Sequence, residues 1–421
     1  MPFTRSCVLM VFALVAVSAT ARAATPSMIR VEAGATLHVC EDQVRVGTLE
    51  DAVEFARAAP SAQMVVSEGT YEIADQRILQ VAGDVMIEPG VTVLFGARAS
   101  VVFLGRVNAV GTAEKPILFT RAEGVDAWGV MLLSPGASDG SYFGFCTFEH
   151  SSQREIAGVN YIATLYGDGV QNVEVADCTF QDILNDGDGI NFKNAYSLVT
   201  RSTFRNCGDA VDYDASQNGI VEYCEFIDNR DDGVDLGEEA QAIVRYNRIF
   251  GSGDKGVSVG ERSDSIVHNN LIGGCNLGIA IKDQSDPWVV NNTFVGNGTG
   301  ITAYRKTPFL YGGGRGRVVN CIVWDSVVAN IDLDSESTTQ FFHCNIQGGF
   351  EGLGNIDQDP LFTILDGLEN FLGEGSPSID TGHPRLNDAI FDTSELWPGD
   401  YSNGAESDMG VYGGPENTGW F

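Results

Sequence analysis

A short motif recurs through the middle of this chain and limits what the chain can fold into. Neighbouring copies are 22 to 24 residues apart, except for two steps of 29 and 32 residues, where we expect loop insertions. Each copy begins with a small residue and has an apolar residue two positions later. The nine copies begin at Cys146, Cys178, Ser202, Cys224, Asn247, Asn270, Asn292, Cys321 and Cys344. A repeat of this length indicates a solenoid, in which each period forms one coil that stacks on the next.

Two further apolar sites occur in each period. A valine usually stands three positions before the motif, as at Val175, Val199, Val221, Val244, Val267, Val289 and Val318. A second apolar pair, nearly always after glycine, begins at Ile190, Val211, Val234, Val257, Ile279 and Ile301. Apolar residues alternate in these segments, whereas a helix would need a spacing of about 3.6 residues. We therefore predict an all-β solenoid with coils of about 23 residues and three short strands in each coil.

The small residue that begins each motif is expected to face the core at a corner of the coil. Stacked copies are then about 4.8 Å apart, so their polar atoms can form a hydrogen-bonded ladder. The cysteines of this column lack the histidine or CxxC partners of a metal or catalytic site, which favours a role as core residues. Cys146 with Cys178, and Cys321 with Cys344, occupy successive copies, where disulfides and stacked thiols fit equally well.

The first residues have the features of an export signal. Arg5 precedes an apolar run from Cys7 to Val17, and Ala21-Arg22-Ala23 has the small-x-small form that signal peptidase cuts after. The apolar run is too short to span a bilayer. We therefore expect residues 1–23 to be removed, leaving a secreted or periplasmic protein with no membrane span.

Both ends of the solenoid need caps, because an open end exposes unpaired strand edges. Thr48 and Asp51 form a capping pair for a short amphipathic helix that reaches Ala58. We place this helix in an N-terminal cap at residues 24–65 and the solenoid at residues 66–350. Residues 351–421 are rich in turns and are predicted to form a C-terminal cap or tail.

The charge of the chain restricts its partners. The net charge is −32 on a chain with 43% hydrophobic residues, so a large core is possible and a disordered acidic tail is excluded. Nucleic acid is not expected to bind a chain this acidic. A polyanionic substrate would also be repelled unless cations intervene, which favours bound Ca²⁺ for any reaction on uronic acids.

Several motifs resemble bacterial proteins of the pectate-lyase-like superfamily. The resemblance covers roughly residues 66 to 415 and depends on Pro89-Gly90-Val91-Thr92, Trp128-Gly129, Asn291-Asn292-Thr293-Phe294 and the closing segment from Asp408 to Pro415. It implies a single right-handed parallel β-helix. It specifies activity only weakly, because this fold hosts lyases, hydrolases, epimerases, adhesins and coat proteins.

Two polar columns flank the second apolar pair of the repeat. The first column contains Asp188, Asp209, Asp232 and Lys255, and the second contains Asn191, Asp212, Asp235 and Ser258. We expect both columns to point outward on one face. Carboxylates this close repel one another unless protonation, Lys255 or a divalent cation neutralises them, and oxygen ligands favour Ca²⁺. The alternative is an ordinary solvated face of an acidic protein.

A further outward column passes through Lys193, Asp214, Gly237, Gly260, Lys282 and Tyr304, with Glu238, Glu261, Asp283 and Arg305 one position later. The stretch from Lys282 to Arg305 resembles the chondroitinase B and alginate lyase type, in which a lysine is the base and an arginine one coil later assists. This resemblance implies that Lys282 is the base and Arg305 the acid. The alternative for Lys282 is a solvated lysine paired with Asp283.

The same resemblance leaves the metal ligands less defined. In that family, calcium-binding acids closely precede the lysine, whereas this chain has Cys275 and Asn276 there. The metal role would therefore pass to Glu238, Glu261 or the aspartate columns.

We therefore expect an exported, carbohydrate-active protein, a monomer, that cleaves an acidic polysaccharide by calcium-dependent β-elimination. Lys255 is a further candidate catalytic residue, and Trp288 and Tyr304 are candidates for stacking on sugar rings, although aromatic residues beside turns are often simple packing. One alternative is a polygalacturonase-like hydrolase that uses Asp209, Asp231 and Asp232. The other is a non-catalytic, calcium-stapled protein that binds polysaccharide.

Overall fold

The computed structural model describes residues 26–39, 43–365, 368–384 and 406–413. The predicted export signal, Cys40, Gly414, Pro415 and part of the predicted C-terminal cap lie outside the described residues. The chain divides into two compact units, Met1–Asn191 and Phe192–Phe421, which are described separately.

The first unit contains one helix and a series of short strands. They are α1 (Leu49–Ala58), β1 (Met28–Val31), β2 (His38–Val39), β3 (Gln43–Val46), β4 (Gln63–Val66), β5 (Gly69–Ile73), β6 (Ile78–Ala82), β7 (Val85–Ile87), β8 (Val91–Phe95), β9 (Ser100–Leu104), β10 (Val107–Val110), β11 (Ile117–Arg121), β12 (Met131–Leu133), β13 (Tyr142–Gly144), β14 (Cys146–Glu149), β15 (Arg154–Ile156), β16 (Val159–Tyr161), β17 (Ala163–Asp168), β18 (Gln171–Ala176) and β19 (Thr179–Gln181). Three sheets run through the unit, called A, B and C in the order in which each coil visits them. Sheet A has the order β2-β3-β1-β4-β7-β10-β13-β18, sheet B β19-β14-β11-β8-β5 and sheet C β17-β12-β9-β6.

The predicted capping helix is confirmed. The Thr48 side chain accepts a hydrogen bond from the backbone N–H of Asp51, and Glu50 and Asp51 lie in the first turn, where acidic residues favour a helix N-terminus. The helix buries the apolar face formed by Leu49, Ala52, Val53 and Ala56. It packs against β1 and β6, so it covers apolar surface at the start of the sheets.

The second unit repeats the same pattern of strands. They are β20 (Asp188–Lys193), which begins in the first unit, β21 (Tyr196–Thr200), β22 (Thr203–Arg205), β23 (Val211–Asp214), β24 (Gln217–Glu222), β25 (Glu225–Ile227), β26 (Val234–Gly237), β27 (Gln241–Arg245), β28 (Arg248–Phe250), β29 (Lys255–Val259), β30 (Ile266–His268), β31 (Leu271–Gly273), β32 (Leu277–Lys282), β33 (Trp288–Val290), β34 (Thr293–Val295), β35 (Thr299–Tyr304), β36 (Arg317–Val319), β37 (Ile322–Trp324), β38 (Ala329–Leu333), β39 (Gln340–Phe342), β40 (Asn345–Ile346), β41 (Phe362–Leu365) and β42 (Leu368–Leu372). Sheet A here has the order β21-β24-β27-β30-β33-β36-β39, sheet B β22-β25-β28-β31-β34-β37-β40 and sheet C β23-β26-β29-β32-β35-β38. The neighbouring strands of these sheets are parallel, which confirms the predicted three-stranded coils.

The chain turns sharply from sheet A to sheet B through one residue with a positive φ angle. This residue immediately precedes the repeat motif in each coil. In the second unit these residues are Arg201, Tyr223, Tyr246, Asn269, Asn291, Asn320 and His343, with φ between 47° and 57°. A left-handed residue reverses the chain direction within a short turn, although it is unfavourable for side chains other than glycine, asparagine and aspartate. Because turns of the same shape stack on one another in successive coils, they hold the residues with an unfavourable left-handed backbone in place.

The predicted polar ladder is confirmed at the corner after this turn. The backbone N–H of Asn247 donates to Oδ1 of Asn270 at 3.0 Å, and the N–H of Asn270 donates to Oδ1 of Asn292 at 2.9 Å. All three asparagines are fully buried. Seven cysteines of the described residues are buried and none of them forms a disulfide. Cys146 and Cys178 are therefore stacked thiols, and the Cys146 N–H is directed at the Cys178 sulfur at 3.4 Å.

The closing segment docks along the left-handed asparagines of sheet A in the second unit. Nδ2 of Asn269 donates to the carbonyls of Val411 and Gly413, and Nδ2 of Asn291 donates to the carbonyl of Asp408 at 2.8 Å. Val411 and Tyr412 pack against Tyr246 and Leu271. The residues of the predicted closing signature therefore satisfy polar groups on successive coils. No helix among the described residues is both long and apolar enough to cross a membrane.

Candidate functional site

The outer face of sheet C in the second unit carries most of the predicted site residues. Val211, Val234, Val257, Ile279 and Ile301 are fully buried and point into the coil. Residues that follow them point outward and lie side by side, since Asp212 pairs with Asp235, Asp235 with Ser258, Ser258 with Ala280 and Ala280 with Thr302. Residues one period apart are therefore neighbours within this unit. Asp188 and Asn191 belong to the first unit, where both side chains are buried.

Asp209 and Asp232 lie in the turn just before their strands and bond to the next coil. Oδ1 of Asp209 accepts the backbone N–H of Asp232 at 2.8 Å, and Oδ1 of Asp232 accepts the N–H of Lys255 at 2.9 Å. In a regular strand, side chains at these positions would point toward the core. Asp209 and Asp232 precede β23 and β26, so the alternation of side chains between the two strand faces does not apply to them. In this unit, hydrogen bonds therefore link the residues of the first predicted column from one coil to the next.

Asp232 and Lys255 form a buried ion pair. Nζ of Lys255 lies 3.2 and 3.3 Å from the two carboxylate oxygens of Asp232 and also bonds Asp254. Each of the two residues is only 3% exposed, so an ordinary solvated face is excluded here. Burial raises the pKa of Asp232, as does Asp235, against the opposing charge of Lys255. Burial lowers the pKa of Lys255, but Asp232 and Asp254 outweigh it and raise that pKa overall, so Lys255 stays charged.

Three carboxylates converge at the end of sheet C where strands β23 and β26 begin. Oxygen atoms of Asp209, Asp231 and Asp232 lie within 4.8 Å of one another, and Asp209 also comes within that distance of Asp212. Donors that are all oxygen suit Ca²⁺. Lys255 neutralises the buried side of this cluster, whereas Asp231 is exposed. The donor set therefore fits a cation on the solvent side, next to Asp231.

A second acidic group lies at the other end of the same strands. Nζ of Lys193 is 2.6 Å from Glu238 and 3.5 Å from Asp214, and Oε2 of Glu261 accepts the N–H of Glu238 at 3.2 Å. Burial raises the pKa of Asp214, a rise that Lys193 opposes and Glu238 reinforces. Lys193 is thus a counter-ion for Glu238, which is one of the predicted metal ligands, and for Asp214.

Lys282 and Tyr304 are neighbours on the outer face. They are paired in register at the ends of β32 and β35. Lys282 is only 4% exposed and has no ion pair or side-chain hydrogen bond among the described residues. The alternative of a solvated lysine paired with Asp283 is therefore wrong. Burial raises the pKa of the half-buried Tyr304, against an opposing effect of Lys255, so its phenol keeps its proton at neutral pH.

Arg305 has other partners. Its Nη2 donates to the carbonyl of Pro308 at 2.7 Å, its Nη1 lies 3.3 Å from Glu336, and its guanidinium stacks over the Tyr311 ring at 5.2 Å. These contacts hold Arg305 in the loop after Tyr304 and do not bring it to Lys282. The prediction that the two cations sit together as base and acid therefore finds no support in the geometry.

Trp288 lies on sheet A, away from the strand face that carries Lys282. It is paired in register with Ile266 and Arg317, and the Arg317 guanidinium stacks on its ring at 5.2 Å. The left-handed Asp283, with φ 51°, follows β32 and ends that strand before the chain reaches sheet A. The two candidates for stacking on sugar rings, Trp288 and Tyr304, therefore lie on different sheets.

Sequence reasoning missed two features of the site. Asp254 contacts Lys255 but lies outside the columns, since it precedes β29. Asp283 is 1% exposed and accepts the N–H groups of Lys306 and Thr307 at 2.7 and 2.8 Å, which anchors the loop that begins at Arg305. Asp283 directly follows the candidate base Lys282, but the sequence repeat did not show that its carboxylate is buried and needs hydrogen-bond donors.

The fold and the stacked polar columns define a right-handed parallel β-helix protein. The family model described as the right handed beta helix region matches residues 163–310. Pectate lyase Pel9A aligns with a TM-score of 0.50 and 14% identity over 85% of this chain and 90% of that protein. The predicted right-handed parallel β-helix fold is thus confirmed.

Two further solved structures align less well. The PL6 family alginate lyase AlyGC has a TM-score of 0.47 and 15% identity over 76% of this chain and 54% of that protein. The periplasmic alginate epimerase AlgG has a TM-score of 0.43 and 11% identity over 68% of this chain and 62% of that protein. The chain therefore spans less than two thirds of the length of these two proteins. No curated protein sequence matches it.

Proposed function

We propose that this chain is an exported, carbohydrate-active protein that cleaves an acidic polysaccharide by β-elimination. The reaction takes place at the outer face of sheet C in the second unit. The observation that carries the proposal is the buried amine of Lys282, which has no ion pair among the described residues and lies in register with Tyr304. A lyase of uronic acids needs such a base and a proton donor beside it.

The chemistry assigns one role to each residue. Lys282, as the base, removes the proton next to the uronate carboxylate, and the electron pair forms a carbon–carbon double bond as the glycosidic oxygen leaves. The phenol of Tyr304 donates its proton to that oxygen, because burial keeps the phenol protonated. This assignment moves the acid role from Arg305 to Tyr304, since Arg305 is engaged by Glu336 and Pro308.

Calcium supports the reaction in this proposal. Asp209, Asp231 and Asp232 would hold the ion, with Asp212 and Asp235 beside them. When bound, Ca²⁺ would neutralise the uronate carboxylate and make the adjacent proton more acidic. It would also reduce the repulsion between a polyanion and a chain with a net charge of −32.

The ion pair of Asp232 argues against the hydrolase alternative. Lys255 lies 3.2 Å from Asp232, so this carboxylate is engaged and is not free to activate a water.

The test is a kinetic comparison on alginate and polygalacturonate with added calcium. We expect the wild-type chain to release unsaturated products, detected by their ultraviolet absorbance. Lys282→Ala and Tyr304→Phe should each lower kcat by roughly 10²- to 10⁴-fold, because each removes a proton-transfer group. The control Trp288→Phe, on sheet A, should retain wild-type kcat. Wild-type kcat in Lys282→Ala would refute the assignment.

A further inference from the structure

The segment from Arg305 to Arg317, here called the basic loop, has a charge opposite to that of the rest of the chain. It contains four basic and no acidic residues, whereas the whole chain has 25 basic and 57 acidic residues. The loop connects the last residue of β35, Tyr304, to the start of β36. It therefore begins directly beside the candidate acid.

The basic loop exposes two aromatic rings. Phe309 is 86% exposed and Tyr311 is 78% exposed, and the guanidinium of Arg305 lies over the Tyr311 ring. Lys306 and Arg315 are also exposed, and neither has an ion pair among the residues that the structure describes. Phe309 and Tyr311 are two residues apart in the sequence, and grouped exposed apolar side chains rimmed by polar residues mark interaction sites.

The loop is anchored at both of its ends. Asp283, the residue after Lys282, accepts the N–H groups of Lys306 and Thr307 and the Thr307 hydroxyl at 2.7 to 2.8 Å. On the returning arm, a Cβ at Gly314 would lie 2.4 Å from the carbonyl oxygen of Ile281, so only glycine permits this close approach. The aromatic rings thus belong to an anchored loop, which lies next to strand β32, the strand that carries Lys282.

We propose that the basic loop is a subsite for uronate sugars of an acidic polysaccharide. Phe309 and Tyr311 pack against the apolar faces of the sugar rings, and Lys306 and Arg315 pair with the uronate carboxylates. The cations of Lys306 and Arg315 supply local positive charge on a chain with a net charge of −32, so a polyanion can approach Lys282. The identity of the sugar class rests on the proposed function, whereas binding by the loop can be measured without catalysis.

The experiment measures binding by titration calorimetry in the Lys282→Ala background, so that turnover does not interfere. The probes are alginate and polygalacturonate oligosaccharides, and polygalacturonate in its methyl-esterified form serves as the uncharged comparison. The variants are Lys306→Ala with Arg315→Ala, and Phe309→Ala with Tyr311→Ala. The controls are Val327→Ala with Val328→Ala, both 81% exposed, and Arg57→Ala on α1.

We expect each double variant in the loop to raise the Kd for the better-bound acidic probe about tenfold, and the controls to leave it unchanged. The cation variant should not affect the esterified probe, whereas the aromatic variant should weaken both forms. All these residues are exposed, so the melting temperature should stay the same.

Unchanged Kd values in both loop variants, or no binding of either acidic probe to the parent chain, would overturn the subsite. If the wild-type chain still forms unsaturated product in that case, the lyase proposal stands without the subsite. If the loop variants lose binding but the wild-type chain forms no product, the subsite stands and the lyase proposal fails.

Discussion

At the scale of single residues, Asp232 and Lys255 show how the stacking of coils brings residues one repeat apart into direct contact. The two residues are 23 positions apart, yet they share an ion pair and a backbone hydrogen bond. Both are nearly inaccessible to water, so Asp232 depends on Lys255 for neutralisation, whereas Lys255 also contacts Asp254. The same stacking places Lys282 beside Tyr304 without any local sequence motif.

This pairing predicts a non-additive effect on stability. Lys255→Met should lower the free energy of unfolding by about 3–5 kcal/mol, because it leaves the buried Asp232 unpaired. Asp232→Asn should lower it by less, because Lys255 keeps its contact with Asp254. The double variant should lose less than the sum of the two, as measured by urea denaturation. Arg57→Met, which breaks an exposed pair with Glu54, should cost less than about 1 kcal/mol. Strict additivity would mean that the pair is not coupled.

At the scale of strands and turns, the polar ladder fixes the register of the coils. Nδ2 of Asn270 donates to the carbonyl of Val244 and to Oδ1 of Asn292, while its own Oδ1 accepts from Asn247. A slip of one residue would break all these bonds and would also move buried side chains to the surface. The ladder therefore holds sheet C in the register that creates the site.

The ladder can be tested by removing one rung. Asn270→Ala should lower the free energy of unfolding by about 3 kcal/mol, because it leaves several buried backbone groups without partners. Asn276→Ala, at an exposed position, is the matched control and should change it by less than about 0.5 kcal/mol. Equal stability of the two variants would show that the ladder does not determine the register.

The strands were more predictable from sequence than the loops. The period alone places Lys282 next to Tyr304, because both are the last residues of stacked strands. Arg305 follows the end of β35 and leaves the period, so its partners Glu336 and Pro308 depend on the course of a loop. Trp288 lies on a different sheet from Tyr304, because the left-handed Asp283 ends β32 before the chain reaches sheet A. The repeat pattern also could not predict that outward-facing residues such as Ser258 and Lys282 are buried.

At the scale of the whole molecule, the coils of the second unit are covered by the closing segment. The His268 ring contacts Tyr246 edge to face, and Tyr246 packs on Val411 and Tyr412. Burial lowers the pKa of His268 to about 4, with Asn269 opposing this effect and Arg245 reinforcing it. The neutral ring is therefore part of the packed state, and its protonation is linked to unfolding.

This linkage predicts how stability depends on pH. The folded pKa of about 4 is below the ordinary value of 6.5, so the unfolded chain takes up the proton first as the pH falls. The contribution of His268 should be complete above about pH 6.5 and decrease by about 3 kcal/mol toward pH 4. His268→Phe should lose less stability than the wild type over this interval in denaturation curves. Parallel losses in the two chains would exclude His268 as the titrating group.

The central claim is that the outer face of sheet C in the second unit performs β-elimination on an acidic polysaccharide. Mass spectrometry of products from alginate and polygalacturonate, with calcium and with a chelator, tests it most directly. We predict oligosaccharides with an unsaturated end, one water lighter than hydrolysis products, which disappear with the chelator and in Lys282→Ala. Saturated products from the wild-type chain, or unsaturated products from Lys282→Ala at the wild-type rate, would contradict the claim.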